Sequence, residues 1–211
     1  MSLYQVDYTS VVLAIVDVGL GNVASVRNML DRLGHSAELR PSPEGLTEAD
    51  GYILPGVGAY DEGIRRLRAS GWYDHLTSLP QGTHILGICL GMQLLGTGSA
   101  EGVSPGLARI PAHFERFDVA PLRVPHMGWN LVTPVGDDPL FAQDLSEWRY
   151  YFTHSFRAVC DDESVEIGRT HYGVDFTSAY RRGNTRGVQF HPEKSHRFGM
   201  SLLSRWAELL C

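Results

Sequence analysis

A chain of 211 residues with 43% hydrophobic and 20% charged residues has the composition of an ordinary folded domain, which excludes a disordered or low-complexity polymer. The formal net charge of -6, with acids and bases interspersed, argues against nucleic acid or an anionic membrane as the main partner. Cys89, Cys160 and Cys211 are odd in number and lack metal-ligand spacing, so a reducing cytoplasm is expected and a disulfide framework is not.

In chain order, residues 1–10 have neither a basic leader nor a sustained apolar stretch, and are read as an N-terminal extension or tag remnant. Val11 to Asp17 is a continuous apolar, β-branched run that predicts a strand buried on both faces. Asn22 is placed to cap a helix in which Val23, Val26, Leu30 and Leu33 recur at helical spacing, and Gly34 supplies its stop. Ala37 to Arg40 predicts a second strand, and Gly51 to Leu54 a third that ends at Pro55. A helix is expected from about Asp61 to Ala69, with Ile64 and Leu67 on one side. His84 to Ile88 predicts the next strand, and Leu90 starts another helix.

Strands alternating with helices imply a parallel sheet with crossover helices. After Gly106 the rhythm changes to closely spaced strand-like runs: Ala108–Phe117, Arg149–Thr153, Ser164–Thr170, Thr177–Arg182 and Arg186–Phe190. Pro111, Pro121, Pro125, Pro134 and Pro139 lie between them. This reads as an antiparallel extension returning to the central sheet near Val188. Phe198, Leu202, Trp206 and Leu209 then mark an amphipathic helix packed on that sheet. With no repeat and no linker, one domain is expected over residues 11–211.

The chemistry concentrates at Gly87-Ile88-Cys89-Leu90-Gly91, where an apolar strand turns into a helix. This is a nucleophile-elbow pattern with cysteine in the serine position, and glycines two residues before and after relieve the crowding of a tight turn. A sulfur at a helix N-terminus is favoured as the thiolate; a free thiol of pKa about 8.5 is only roughly 3% ionised at pH 7. A structural cysteine between Ile88 and Leu90 is the plain alternative, and the flanking glycines argue against it. A thiolate nucleophile needs an imidazole to shuttle its proton. Of nine histidines, His191 follows the strand run Gly187–Phe190, and Glu193 can bend back to hold its ring. His154 is expected beside the site in a supporting role. A metal site from His191, Glu193 and His196 is disfavoured because Pro192 interrupts the helix such a site uses. For the oxyanion, Leu90 supplies one amide, and the turn Leu54-Pro55-Gly56-Val57-Gly58 a second, from Val57 or Gly58.

One competing motif stands at Gly19-Leu20-Gly21-Asn22-Val23-Ala24. It fits a dinucleotide fingerprint, with Glu38 about where a ribose-binding acid would lie. Asp17 beside that turn would repel a pyrophosphate, and the reading leaves Cys89 and His191 without a task.

With these residues laid out, the chain resembles the class I (triad) glutamine amidotransferases, and among them the glutaminase subunits (HisH) of imidazole glycerol phosphate synthase. The resemblance runs from about Val11 to Trp206. It rests on DVGLGN (Asp17–Asn22), LPGVGAY (Leu54–Tyr60), GICLGMQLL (Gly87–Leu95), VPHMGWN (Val124–Asn130), YFTHSF (Tyr151–Phe156) and GVQFHPEKS (Gly187–Ser195). It implies a flavodoxin-like α/β fold: a mostly parallel central sheet with helices on both faces and an antiparallel extension. It implies Cys89, His191 and Glu193 as the catalytic triad, and Gly56, Gln93, Glu101, His154 and Ser155 around the glutamine. It further implies glutamine hydrolysis without metal or cofactor, and a heterodimer with a (β/α)8-barrel cyclase (HisF-like) that receives the ammonia. Asn22, Met127, Trp129, Asn130 and Lys194 match positions at that interface. Two departures are present. Ser99-Ala100-Glu101-Gly102 replaces the usual S-E-x-G text. The stretch from His191 to Met200 looks like relatives that feed a surface-polysaccharide sugar amidotransferase, which is the alternative destination for the ammonia.

Overall fold

The computed structural model describes residues 12–46, 49–141 and 147–210. Val11, the N-terminal extension and Cys211 lie outside the described residues. The elements run β1 (Leu13–Val16), α1 (Val23–Arg32), β2 (Ala37–Arg40), β3 (Gly51–Gly56), α2 (Tyr60–Ala69), α3 (Trp72–Ser78), β4 (His84–Cys89) and α4 (Leu90–Leu95). There follow β5 (Gly98–Ser99), β6 (Ala112–Arg116), β7 (His126–Leu131), β8 (Thr133–Pro134), β9 (Arg149–His154), β10 (Phe156–Cys160), β11 (Glu166–Tyr172), β12 (Val174–Arg182), β13 (Thr185–Val188) and α5 (His196–Glu208).

The main sheet has the order β2-β1-β3-β4-β13-β12-β10-β6-β5, with β11 paired to β12 and β8 to β11. From β2 to β13 all neighbours are parallel; β12 then runs antiparallel to β13, and β10 to β12. The expected α/β sheet with an antiparallel extension is present, and it rejoins the centre where Val188 pairs with Ile88. The β1 run is buried on both sides, as its unbroken apolar sequence requires. Leu13 and Ile15 pack with Val26 and Leu30 of α1 and with Leu202 and Trp206 of α5. Ala14 and Val16 face the other way, into Ile64 and Leu67 of α2, Trp72 and Leu76 of α3, and Leu94 of α4. Asn22 caps α1, its side chain accepting from the Ser25 N–H.

Several boundaries differ from the sequence reading. The first strand is shorter, Leu13–Val16, because the chain leaves the sheet at the Asp17–Gly21 turn. The third continues through Pro55 to Gly56, because its neighbour β4 extends alongside it to Cys89. Leu107 to Ile110 is not strand: those amides donate to the Leu94, Leu95 and Gly96 carbonyls and satisfy the end of α4. Ser164 and Val165 form a tight turn capped by Asp162, so β11 starts only at Glu166. Helix α3 and strands β5, β7, β8 and β10 have no counterpart in the sequence reading. The first is only seven residues long, and β7 is hidden by the prolines and glycine around it.

Two glycines set the spacing of the elbow. A Cβ on Gly91 would lie 1.7 Å from the Leu54 carbonyl oxygen, and one on Gly87 would lie 2.7 Å from that of Gly91. Helix α4 therefore rests against the backbones of β3 and β4. Because the obstruction at Gly91 is backbone, Gly91→Ala is expected to destabilise the protein by about 3 kcal/mol or more, measured by urea unfolding.

Candidate active site

Cys89 ends β4 and precedes the first residue of α4, with φ of 54° and ψ of −107°. A non-glycine residue there is strained, at a cost on the order of 1–3 kcal/mol, and the glycine-permitted close packing on both sides holds it. The parallel register sets Gly56 beside Cys89 and Val188 beside Ile88, so the ends of β3, β4 and β13 reach one sheet edge. Chain leaving β13 carries Gln189 and then His191 over that edge. His191 is tied to β9 by its own amide, which donates to the Tyr151 carbonyl at 2.9 Å.

The His191 Nδ1 lies 2.6 Å from Glu193 Oε1, with both side chains almost wholly buried. Its Nε2 is enclosed and makes no hydrogen bond of ordinary geometry, its electrostatic partner being the Cys89 sulfur. Burial pushes the imidazole pKa down, but Cys89 and Glu193 push it up more strongly, and the balance raises it to about 9. The Cys89 Sγ sits 3.9 Å from the Thr153 carbonyl, and Gln189 Nε2 approaches it at 3.8 Å. Gln189 Oε1 in turn accepts from Gln93 Nε2 at 3.4 Å.

A cavity of about 240 Å³ opens on the sulfur, lined by Val57, Gly58, Cys89, Leu90, Gln93, Glu101, Pro125 and Thr153 to Phe156. The volume suits a small amino acid. His154 and Ser155 therefore line the same space as Gln93 and Glu101, while Gly56 stands behind it as the strand neighbour of Cys89. Leu90 opens α4, so its N–H has no partner within the helix. Gly58 has φ of 129°, a conformation open to glycine, which lets the turn run close over the cavity. Glu101 is held at the start of α2, one carboxylate oxygen accepting from the Tyr60 N–H at 3.1 Å. Asp61 secures the same loop by accepting from the amides of Val103 and Ser104, which hold its carboxyl below the usual range.

The residues matched to an interface separate into groups. On β7, Met127 and Trp129 are exposed, 62% and 43%, and Leu131 joins them at 48%. Asn130 lies on the opposite face of that strand, its amide donating to the His171 carbonyl and approaching His126 Nε2. Lys194 is exposed, 5.8 Å above the Tyr151 ring, and the Tyr151 ring also meets Trp129 edge-on. Asn22 is engaged as the cap of α1. His196 does not converge with His191 and Glu193 on a common point; its ring stacks on Trp129. Among the described residues no three His, Cys, Asp or Glu side chains come together in a metal-holding group.

The Gly19–Ala24 turn is occupied by its own contacts. Asp17 accepts from the Gly19 N–H at 3.1 Å, and Arg66 donates to the Val18 and Gly19 carbonyls. A phosphate would have to displace the Asp17 carboxylate from that amide. Sequence reasoning missed Gln189, Thr153, Pro125 and Asp61. Only Gln189 left a signal: an amide between apolar Val188 and Phe190, in phase with His191 on a period of two.

A family model described as glutamine amidotransferase class-I matches residues 14–207. The chain is 44% identical over 201 residues to the imidazole glycerol phosphate synthase subunit HisH 2 of Pseudomonas aeruginosa, covering 94% of this chain and 100% of that one. It is 41% identical to the HisH 2 of Methanococcus maripaludis (92% and 98% covered) and 42% identical to the HisH of Bdellovibrio bacteriovorus (92% and 98%). Among solved structures, a glutamine amidotransferase crystal structure matches with TM-score 0.74 at 22% identity (94% and 98% covered). One from Thermotoga maritima matches with TM-score 0.63 at 20% identity (95% and 82%), and at these identities the likeness speaks to fold alone. The chain belongs to the class-I glutamine amidotransferases.

The raised His191 pKa has a signed consequence for stability. A folded-state pKa above the unfolded value of about 6.5 stabilises the fold fully below about pH 6.5, and that contribution is lost as pH rises through about 9. Glu193→Gln keeps a hydrogen-bond acceptor and removes the charge. The melting-temperature advantage of the unsubstituted protein over this variant is expected to be greatest near pH 6 and to shrink steadily toward pH 9.

Proposed function

We propose that this amidotransferase hydrolyses L-glutamine to glutamate and ammonia as the HisH-type subunit of an imidazole glycerol phosphate synthase, in the histidine pathway. Its ammonia would pass to a HisF-like (β/α)8-barrel cyclase that makes imidazole glycerol phosphate and aminoimidazole carboxamide ribonucleotide. The observation that carries the chemistry is Cys89 held at a strained elbow beside a buried His191–Glu193 pair, with a cavity of amino-acid size opening on the sulfur. Support for the pathway comes from relatives named as HisH subunits, similar over nearly their whole length. Residues 11–211 are read as one amidotransferase domain. A cytoplasmic site fits this role, and no helix among the described residues is long and apolar enough to cross a membrane.

In this reading the Cys89 sulfur attacks, as the thiolate, the side-chain amide carbon of glutamine. The oxyanion is received by the Leu90 amide and by an amide of Val57 or Gly58. An imidazole whose pKa lies near 9 carries at neutral pH the proton that the leaving ammonia requires. Collapse of the tetrahedral intermediate releases ammonia and leaves a γ-glutamyl thioester on Cys89. The imidazole, now neutral, takes a proton from water, whose oxygen attacks the thioester and frees glutamate. Glu193 keeps the ring oriented throughout. Glu101 suits the substrate ammonium, and Gln93 its carboxylate region. Met127, Trp129 and Lys194 offer the partner an apolar and cationic face.

Cys89→Ala, assayed with the cyclase, is expected to lower glutamine hydrolysis by at least about 10⁴-fold with the melting temperature nearly unchanged. An electrophilic glutamine analogue should label Cys89 and no other cysteine by mass spectrometry. Complementation identifies the acceptor: growth of a strain lacking its histidine-pathway glutaminase is expected. Rescue only of a glycan sugar amidotransferase would move the subunit to that pathway.

A further inference from the structure

Two histidines outside the triad are buried side by side and have no part in the reaction as written. His126 is 2% exposed and His154 5%, and they are direct partners across the β7–β9 ladder. His126 Nδ1 and His154 Nε2 are 3.0 Å apart. The far side of each ring fixes which nitrogen bears the hydrogen. His154 Nδ1 is 2.7 Å from the Phe156 carbonyl, which can only accept, so that nitrogen is protonated and the neutral ring offers a lone pair at Nε2. His126 Nδ1 must therefore donate to it, leaving His126 Nε2 as an acceptor. Asn130 Nδ2 stands 3.2 Å from that nitrogen. The orientation of the Asn130 amide is itself pinned, because Nδ2 also donates to the His171 carbonyl and Oδ1 accepts from the Leu131 N–H. Every hydrogen bond in the series runs the same way, from Asn130 through both rings to Phe156.

We infer that His126 and His154 are positioning residues of the glutamine site, a neutral pair of Nδ1–H imidazoles whose one-way hydrogen-bond chain ties Asn130 on β7 to the cavity wall at residues 153–156. That wall supplies the Thr153 carbonyl beside the Cys89 sulfur and the Ser155 lining of the cavity, and Pro125, next to His126, lines the same cavity. The inference rests on the glutaminase reading for its functional half. It also joins the strand that carries the exposed Met127–Leu131 face to the cavity wall on its neighbour β9.

The surroundings keep both rings uncharged. Phe152 and Tyr172 stack on His126, and Phe117 and Phe176 meet both rings at an angle. The titratable groups facing the pair are Tyr172 and His191. Burial drives His126 down to about 4; His154 goes to about 3, mainly by burial, with the charges of His126 and His191 adding to it against the Phe156 hydrogen bond. Protonating either ring would set an N–H against a donor.

The test uses ¹⁵N-histidine-labelled protein in complex with the cyclase. Assigned individually, the His126 and His154 imidazoles should be Nδ1–H tautomers, the minority form in water, unchanged from about pH 5.5 to 8. His126→Phe keeps a ring for stacking and deletes both nitrogens; it is expected to raise the glutamine KM about tenfold with kcat altered less than about threefold. Should that variant fail to fold, Asn130→Ala leaves both rings in place and removes the outer link, together with the Asn130 bonds to the His171 carbonyl and the Leu131 N–H. It should shift the His126 nitrogen signals and raise KM by roughly threefold. Both rings as Nε2–H tautomers, or either titrating in that pH range, would overturn the chain. Unchanged KM in a folded variant would overturn the positioning role. A parent complex that hydrolyses no glutamine would remove the glutaminase reading and the positioning role together, while the nitrogen signals still decide the chain on their own.

Discussion

The site depends on backbone touching backbone. Helix α4 can begin directly at the end of β4 only because residues 87 and 91 have no side chain, which lets Gly91 pack onto the Leu54 carbonyl. That contact turns the chain so sharply that Cys89 takes a positive φ, and the side chain is lifted to the sheet edge. The turn could not survive on its own energy. It is held by the buried apolar residues of α4, Leu90, Met92, Leu94 and Leu95, anchored in one of the two cores. A strained cysteine is thus maintained by packing at some distance from the sulfur.

The second requirement is sheet order. His191 lies far from Cys89 in sequence, yet β13 is the direct parallel neighbour of β4, with Thr185 to Val188 in register with Ile85 to Ile88. Chain leaving both strands in the same direction must emerge side by side. The antiparallel extension serves that end: it carries the chain out and back, so that β13 enters the centre pointing the same way as β4. His191 is then held through its backbone N–H by the Tyr151 carbonyl and through its ring Nδ1 by the Glu193 carboxylate.

Much of this was legible in residue order. The alternation of strands and helices up to Leu95, the elbow, the His191–Glu193 pair and the closing amphipathic helix all rest on local patterns that the fold leaves intact. The illegible parts depend on contacts distant in sequence. Gln189 gains its place between Gln93 and Cys89 only when β13 meets β4. Asp61 looks like any acid in the first turn of a helix until the Glu101 loop folds onto it. Strand β7 was obscured because His126, Gly128 and Asn130 alternate with Met127, Trp129 and Leu131. That is period two with its apolar members outside and its polar members inside, the reverse of the usual rule. The same inversion explains why Asn130, grouped by text with Trp129, faces away from it.

That inverted strand bears on how the protein must be made. Met127, Trp129 and Leu131 form a greasy ribbon facing water on any copy that has nothing seated against it. Translation in excess of whatever covers the ribbon would leave orphan molecules prone to clump or to be cleared by proteases. A supply of this chain matched to that of whatever covers the ribbon is therefore a demand written into its shape.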